Sequence, residues 1–549
     1  MRRRYQESVG PLVTVLISTY NRPEFLAEAL ESIFAQTWSH FQIVLVRDGG
    51  KPVRQVVERF DDRRLTFIDR NENRGLPYSF NEALAQAKGE YICYLGDDDR
   101  FFPHHIETLL TAMEGQDQCQ AVYSDLYKAH CRVKEGGRRI VLAKNVEISR
   151  DFDRLLMLQF NQALHVSLMH RRDLLEKAGP YNEDLNVLID WDLTRRLCFY
   201  TDFLHVPVVT GEYYAPVGNC DRISVQRRKN VNEYLRNLLT IRSTRPKKPW
   251  DCMEDLSVIV ATERDDASLR QTLRNLWGHT FYPNQILVPL EAGQAQAFEA
   301  GVANTRAVPV EAGSRMQQRI DQALRECEGS LVAIFPVGLP VEPDEVAWIE
   351  RSLKVLLERP EGGLAVELVE NRPECRGLVV RKSDLQQART RHPHMRIEES
   401  LRQCGIEIRQ PKFEEFPFLF DHCLTATEQV QREGDWLQAA KMYEHIGMQF
   451  SNEIWMATRQ ANALIHGERP AQALDILKDL NRTRPTPATL LLEGRAWKKQ
   501  QQFEQAIGCL RQAEAILSGT DSPKGQPIRK RKYQAGGTVP RQQETLQWT

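Results

Sequence analysis

A pattern near the start of the chain is written again 243 residues later (Thr19 to Thr262). With that one offset and no gap, Leu30 meets Leu273, Thr37 meets Thr280, Gln42-Ile43 meets Gln285-Ile286 and Gly50 meets Gly293. At an offset of 240, Ala83-Leu84 meets Ala323-Leu324, Gly89 meets Gly329 and Pro103 meets Pro343. Self-similarity over so long a stretch is the mark of a repeated domain, so whatever the first copy folds into, the second must fold into as well.

The first copy alternates apolar runs with helical periodicity. Pro11 to Ile17 is continuously apolar apart from Thr14, as in a strand buried on both faces. Ser18-Thr19-Tyr20-Asn21-Arg22 stops it, and Pro23 suits the first turn of a helix. Phe25, Leu26, Ala29, Leu30, Ile33 and Phe34 recur at helical spacing, and a second strand runs from Phe41 to Val46, ending at Arg47-Asp48-Gly49-Gly50. Strand, helix and strand in this order form a βαβ unit with a right-handed crossover. A third strand spans Leu65 to Ile68, Asn73-Arg74-Gly75 leads into a helix around Phe80 to Ala87, and Gly89 ends it. The fourth strand, Tyr91 to Gly96, runs into Asp97-Asp98-Asp99.

This is an α/β pattern with every polar cluster at the carboxyl end of a strand, the edge where open α/β sheets bind ligands. Ser18, Tyr20, Asp48, Arg74 and the acidic triplet are therefore expected to converge on one crevice. Three adjacent carboxylates repel one another when exposed and are costly when buried unless a cation meets them. A hard divalent ion, held by one or two carboxylates and completed by phosphate oxygens and water, answers that need.

The chain of 549 residues has room for three or four domains. Its 73 basic and 74 acidic side chains balance, which argues against nucleic acid as a partner. No apolar run approaches the roughly 18–20 residues of a membrane span. The basic start, Met1-Arg2-Arg3-Arg4, lacks the apolar core of a secretory signal. None of the eleven cysteines forms a Cys-x-x-Cys pair, so they read as reduced thiols of a cytoplasmic protein, with at most peripheral contact at the inner face of a membrane.

Val15-Leu16-Ile17-Ser18-Thr19-Tyr20-Asn21-Arg22, Gln36-Thr37, Asp48-Gly49, Asn73-Arg74-Gly75, Ala87-Lys88-Gly89-Glu90-Tyr91-Ile92 and the triplet together resemble family 2 glycosyltransferases of the GT-A fold, over roughly residues 11–225. The resemblance implies a Rossmann-like nucleotide-diphospho-sugar transferase. In it Ser18, Tyr20 and Asp48 hold the nucleoside, Asp48 by accepting from the base, while Arg74 contacts phosphate or sugar. Asp97, Asp98 and Asp99 bind Mg2+ or Mn2+ on the diphosphate. Family members often carry a second acid where this chain has Arg47. Further along, Leu188-Ile189-Asp190-Trp191-Asp192 matches the block that supplies the catalytic base, which points to Asp190 with Asp192 as the alternative. His165 and His170 lie in the segment before the acceptor site. An Asp N-cap is the purely structural account of Asp190.

The implied activity is metal-dependent, inverting transfer of a sugar from a nucleotide-sugar donor, most commonly a UDP-sugar, to a hydroxyl of a glycan, lipid-linked or protein acceptor. The cation neutralises charge on the diphosphate and a carboxylate on the opposite face takes the acceptor proton. A non-catalytic nucleotide- or glycan-binding scaffold is the alternative. Nucleotidyl transfer is disfavoured, because Ser18 to Arg22 contains no glycine for a phosphate loop.

In the repeat, Tyr20 becomes Glu263, Asp48 becomes Glu291 and the triplet becomes Val337-Gly338-Leu339. The expected organisation is thus a catalytic GT-A domain (1–240), a linker (241–255), a degenerate GT-A-like domain without the acidic motif (256–420), helical repeats (424–518) and a disordered tail (519–549). In the repeats Ala439, Ala473 and Ala506 stand 34 and 33 residues apart, with small residues Ala461 and Gly494 twelve before the second and third. This resembles tetratricopeptide repeats, all-α stacks that bind a protein partner. A plain helical bundle is the simpler account. The tail's Arg529-Lys530-Arg531-Lys532 reads as solvated, with contact to anionic lipid head groups or nucleic acid as the alternative.

Overall fold

A computed structural model describes residues 10–116, 118–146, 148–217, 231–338, 348–368, 377–410, 427–428, 430–450 and 453–518. The tail from 519, with its basic run, and Leu339 and Pro343 of the repeat lie outside the described residues.

The first sheet comprises β1 (Val13–Thr19), β2 (Phe41–Asp48), β3 (Leu65–Arg70), β4 (Tyr91–Gly96), β5 (Arg100–Phe101), β6 (Cys119–Val133), β7 (Arg139–Val146), β8 (Leu168–Arg171) and β9 (Asp202–Pro216). Their order is β3-β2-β1-β4-β8-β6-β9-β5, with β7 pairing the far end of β6. β1 to β4 are mutually parallel and β8 runs antiparallel to β4. The helices of this unit are α1 (Pro23–Phe34), α2 (Arg54–Val57), α3 (Leu76–Gln86), α4 (His105–Met113), α5 (Arg154–Gln159), α6 (Leu174–Ala178) and α7 (Ile189–Leu197). β1 is buried on both faces, which is why it reads as an unbroken apolar run. Leu16 packs into one cluster with Val44 and Tyr94, while Val13, Val15 and Ile17 pack into another with Leu26, Leu30 and Ile33 of α1.

A second sheet follows: β10 (Leu256–Ala261), β11 (Asn284–Glu291), β12 (Thr305–Val310), β13 (Leu331–Pro336), β14 (Leu364–Glu367), β15 (Leu378–Arg381) and β16 (Glu407–Arg409), in the order β12-β11-β10-β13-β15-β14-β16. Its first five strands repeat the order β3-β2-β1-β4-β8, including the antiparallel fifth strand. The pairing register repeats too. Val13 faces Phe41 and Tyr91 in the first sheet, and Leu256 faces Asn284 and Leu331 in the second. The change of offset from 243 to 240 therefore falls in the connection between the second and third strands.

One buried polar network is present in both sheets, at the amino edge. Gln42 Oε1 accepts from the Thr14 hydroxyl at 2.9 Å and from Lys88 N at 2.8 Å, and Thr14 Oγ1 accepts from Gly89 N at 2.9 Å. In the second sheet Gln285 Oε1 accepts from the Ser257 hydroxyl at 3.2 Å and from Glu328 N at 3.4 Å, and Ser257 Oγ accepts from Gly329 N at 3.1 Å. The glycine is dictated by space. A Cβ at Gly89 would lie 2.5 Å from Thr14 N, and one at Gly329 would strike the carbonyl of Asp255.

Several boundaries differ from expectation. β2 runs on to Asp48 and β3 to Arg70, because the ladder continues through Arg47–Asp69 and Asp48–Arg70. α3 begins at Leu76, with Pro77 in its first turn, rather than near Phe80. The boundary placed at 240/241 falls inside a helix, Val231–Ser243. The segment after it is packed, not a free tether. The wholly buried guanidinium of Arg195 on α7 donates to the carbonyls of Thr244 (2.9 Å), Arg242 (2.8 Å) and Phe281 (3.2 Å), and Trp250 stands edge-on to Phe199. One apolar cluster runs from Leu16 and Tyr94 through Ile241 to Leu256 and Phe335, so the two sheets share a core.

The C-terminal part holds the helices Trp436–Phe450, Glu453–His466, Pro470–Thr483, Pro487–Lys499 and Phe503–Ser518. Ala439, Ala461, Ala473 and Ala506 are buried between them. This part rests on the first unit. Tyr127 donates to the Pro485 carbonyl at 3.3 Å, Arg484 to Ser149 Oγ at 3.2 Å and Lys144 to the Ile516 carbonyl at 3.4 Å. No helix among the described residues is long and apolar enough to cross a membrane.

If the amino-edge network holds both sheets together, Gln42→Ala and Gln285→Ala should each lower stability by about 1–3 kcal/mol, the cost of orphaning buried donors. Urea unfolding of the two variants checks this. Wild-type midpoints in both would show that the amide is dispensable.

Candidate functional site

The acidic turn follows β4. Its backbone closes with Asp99 N donating to the Gly96 carbonyl at 3.2 Å. Asp97 is buried: its Oδ2 accepts from the Thr19 hydroxyl at 2.8 Å, and the backbone N–H of Tyr20 also reaches it. Arg22 donates to Asp98 at 2.8 Å and stands 3.6 Å from Asp97. Burial, and after it the charge of Asp98, pushes the Asp97 carboxyl up to about 7 against the pull of Arg22. Asp99 is fixed from the other side, its Oδ1 accepting from Tyr214 N of β9 at 3.1 Å. Gly96 leaves the room for this, since a Cβ there would lie 2.6 Å from Asp99 Oδ2. Arg139, entering from β7, donates to the Asp98 carbonyl at 2.6 Å and stacks over the Tyr214 ring at 3.6 Å.

Around the turn, Ser18 sits between Val46 and Gly96 in the ladder, and Tyr20 at the end of β1 is 46% exposed, its ring against Gly50. Arg74 is exposed with its guanidinium 3.4 Å over the Tyr78 ring. Asp48 is buried and occupied. It accepts from Arg74 N at 2.8 Å, Gly75 N at 3.0 Å and the Arg70 guanidinium. Glu291, its counterpart in the second sheet, likewise accepts from a loop amide, Gly313 N at 3.1 Å, and from Arg319 at 2.8 Å. The acid at this strand end thus anchors the loop into the next helix in both sheets. Arg47 donates to Asp69, to the Gly50 carbonyl at 3.0 Å and to Asn71 at 2.8 Å.

The two candidate bases separate cleanly. Asp192 is 1% exposed and its Oδ2 is taken by Arg196 Nε at 3.0 Å and Nη2 at 2.8 Å. Arg196 also holds the Gly179 carbonyl at 2.9 Å and that of Ala178. Asp190 lies in the first turn of α7, is only partly buried, and accepts from Asn161 Nδ2 at 2.9 Å. It is not the N-cap. That position belongs to Leu188, which caps nothing and holds a left-handed φ of 63°. Such strain in a non-glycine residue is stored where surroundings enforce it, and it re-aims the chain just before Asp190.

Both histidines are held by tyrosines. His170 is wholly buried opposite Ile92, with Nε2 on the Tyr94 hydroxyl and Nδ1 on the Arg171 carbonyl, both at 2.8 Å. His165 stacks on Tyr94 at 4.0 Å and meets the Tyr181 hydroxyl at 2.6 Å. Burial lowers His165 to about 3 and His170 to about 4, so both are neutral rings of an aromatic cluster. That cluster links β4 to the α7 region. Tyr181, packed on Phe80, feels the charge of Asp190.

Sequence reasoning left Thr19, Arg139, Tyr214 and Asn161 unassigned. Thr19 lay within a quoted block and is repeated as Thr262. The others come from distant strands or loops, and nothing local marks them.

The acidic turn offers carboxylate and hydroxyl oxygens, hard donors of the kind Mg2+ and Mn2+ take. No set of three or more His, Cys, Asp or Glu side chains is gathered as a ready-made ion site among the described residues. A cation completed by diphosphate oxygens needs only one or two carboxylates, and the turn brings Asp97, Asp98 and Asp99 together, with Arg22 beside the first two. In kind, the residues fit such an ion.

The model of the family Glycosyl transferase family 2 matches residues 14–171. Uncharacterized glycosyltransferase YwdF of Bacillus subtilis (strain 168) is 30% identical over 184 residues, 34% of this chain and 67% of that protein. Uncharacterized glycosyltransferase MJ1057 of Methanocaldococcus jannaschii is 29% identical over 198 residues, 35% of this chain and 66% of that protein. Among solved structures, S. aureus TarS 1–349 is 18% identical, with 42% of this chain and 65% of that chain covered at a TM-score of 0.32. The chain belongs to glycosyl transferase family 2, and it is a glycosyltransferase. The matches to YwdF and MJ1057 span about a third of this chain and about two thirds of theirs.

Asp192 and Asp190 should part company on substitution. Asp192→Ala strands Arg196 and should cost about 3–5 kcal/mol, whereas Asp190→Asn should leave stability within about 0.5 kcal/mol. Thermal and urea unfolding check both, and a stable Asp192→Ala protein would refute the structural role given to that carboxylate.

Proposed function

We propose that the first unit moves a sugar from a nucleotide-sugar donor to an acceptor hydroxyl with inversion, using Asp190 as general base. The observation that carries this reading is the division of labour in α7: both N–H groups that Arg196 turns to Asp192 close on its Oδ2 and that carboxylate is buried, while Asp190 is partly open and accepts from the Asn161 amide. A base must be able to reach a substrate proton, and only Asp190 meets that condition. Mg2+ or Mn2+, held by Asp97 and Asp99 with Asp98, would offset charge on the diphosphate leaving group when bound.

The chain's own residues do the rest. Thr19 and Tyr20 N fix the Asp97 carboxylate, Tyr214 N fixes Asp99, and Arg139 fixes the backbone of Asp98. The exposed ring of Tyr20 offers a platform for the nucleoside base, with Ser18 beside it. We assign Asp48 to holding the Arg74-Gly75 loop rather than to the base itself. Arg74, stacked on Tyr78, is then presented toward donor phosphate or sugar. Asn161 orients Asp190, and one displacement at the anomeric carbon inverts it.

The second unit fits a GT-A-like domain without transfer chemistry. Where the acidic turn would begin, Gly338 N donates to Thr272 Oγ1 at 3.2 Å and the preceding residue is Val337, packed on the apolar core. The C-terminal helices, spaced as tetratricopeptide-like repeats, fit a protein-binding module. The eight described cysteines are all free, which suits a reducing, cytoplasmic setting. A glycan, lipid-linked or protein hydroxyl remains the acceptor class.

Asp190→Asn should lower sugar transfer by at least about 100-fold while donor binding, read by calorimetry with Mn2+, is retained. Asp99→Ala should lose Mn2+-dependent donor binding as well. Near-normal turnover in Asp190→Asn would remove it as the base, and unchanged Mn2+ dependence in Asp99→Ala would remove the acidic turn as the ion site.

A further inference from the structure

The last described helix, Phe503–Ser518, has two different faces. One is spent inside the chain: Ala506, Cys509 and Ala513 are buried, and Gly494 of the preceding helix lets the backbone at Ala506 approach closely. The other carries Phe503, Ile507 and Leu510, which are 58%, 49% and 47% exposed. The C-terminal helices pack in series, each against the next, and this helix ends the described series with an apolar face outward. Helical stacks of this kind ordinarily close with a polar outer face. Steps of four and then three residues are the seam of a two-stranded coil, and Glu514 and Leu517 continue the same steps.

The structure assigns this face to a second copy of the same chain, packed antiparallel about a twofold axis. The seam is self-complementary in that arrangement and in no other simple one. Ile507 of one protomer meets Leu510 of its partner, and the twofold repeats the contact the other way. Phe503 then covers the aliphatic part of the partner's Glu514. On the flank, Glu504 of one protomer faces Arg511 of the other, twice over. Glu504 and Arg511 are both exposed. A parallel pairing would set these charges against Ala506 and Ala513 instead, which are already buried inside the chain.

The test is the mass of the full-length protein by light scattering and sedimentation equilibrium, from about 1 to 100 µM. A concentration-dependent dimer is expected. Ile507→Glu should weaken it at least about tenfold, with an unchanged circular dichroism melt. Glu504→Arg and Arg511→Glu should each weaken it, and the two together in one chain should restore it. A monomer across the whole range would overturn the proposal, as would a dimer indifferent to Ile507→Glu, which would mean a different face. Failure of the double reversal to rescue would overturn the antiparallel pairing. A full-length monomer that dimerises once 519–549 are removed would give the face to the tail instead.

Discussion

Each sheet depends on one carboxamide oxygen. Gln42 in the first and Gln285 in the second accept from a hydroxyl on the central strand and from a backbone amide just before the fourth. A parallel sheet has no hairpins to set its register, and its strands meet only after long crossovers. The amide bonded to the central and fourth strands fixes where both begin. The glycine beside it is forced, because the incoming backbone crosses within contact of the central strand. With the amino ends pinned, the strand lengths determine where the carboxyl ends stop, and hence where Thr19, Asp48 and Gly96 come to stand.

The two edges of the fold have been treated differently. The amino edge keeps glutamine, hydroxyl and glycine in both units, since losing any of them leaves buried donors unmatched. The carboxyl edge keeps its acids only where they are used. Asp48 and Glu291 both survive as carboxylates because both tie down a loop amide, a task independent of any ligand. The acidic triplet also takes backbone amides, Tyr20 N at Asp97 and Tyr214 N at Asp99, yet the second unit does without it. In the second unit Gly338 makes the turn with a backbone donor to Thr272, and the sheet forms the same order without three acids. In the first unit those acids lie close together, with Arg22 beside Asp97 and Asp98, and carboxylates so gathered favour a cation among them.

Much of this was legible in the sequence because the signals are local or repeated. Apolar runs marked β1, β2 and β4, and the offsets of 243 and 240 reappear in the pairing registers themselves. The carboxyl-edge crevice followed from strand direction alone. What escaped notice was non-local. Tyr214 reaches Asp99 across 115 positions and Arg139 reaches Asp98 across 41. No window of sequence contains both partners. The surroundings of His165 and His170 were hidden for another reason: a histidine beside a candidate site looks the same in sequence whether its ring faces solvent or is stacked on a tyrosine. The packing of segment 241–255 was likewise non-local: Arg195 of α7 holds the carbonyls of Arg242 and Thr244 across 47 and 49 positions.

β9 connects these levels. At Tyr214 its backbone fixes Asp99, and at Glu212 it pairs with Arg100, the residue after the triplet. The Glu212 side chain binds Lys144 at 2.7 Å, which also meets the Ile516 carbonyl. Lower on the strand, His205 lies between Asp125 at 2.9 Å and Asp151 at 3.0 Å, and Arg484 of the helical part stands 3.8 Å from Asp125. Burial works against a charge on His205, but the two carboxylates outweigh it and hold its pKa above the ordinary histidine value. The helical part therefore seats on β6 and β7, whose side chains Asp125 and Lys144 bond in turn to His205 and Glu212 of β9. Ile516 belongs to the helix whose outer face carries Phe503, Ile507 and Leu510, so one helix touches the catalytic unit at its end and presents an apolar seam along its length.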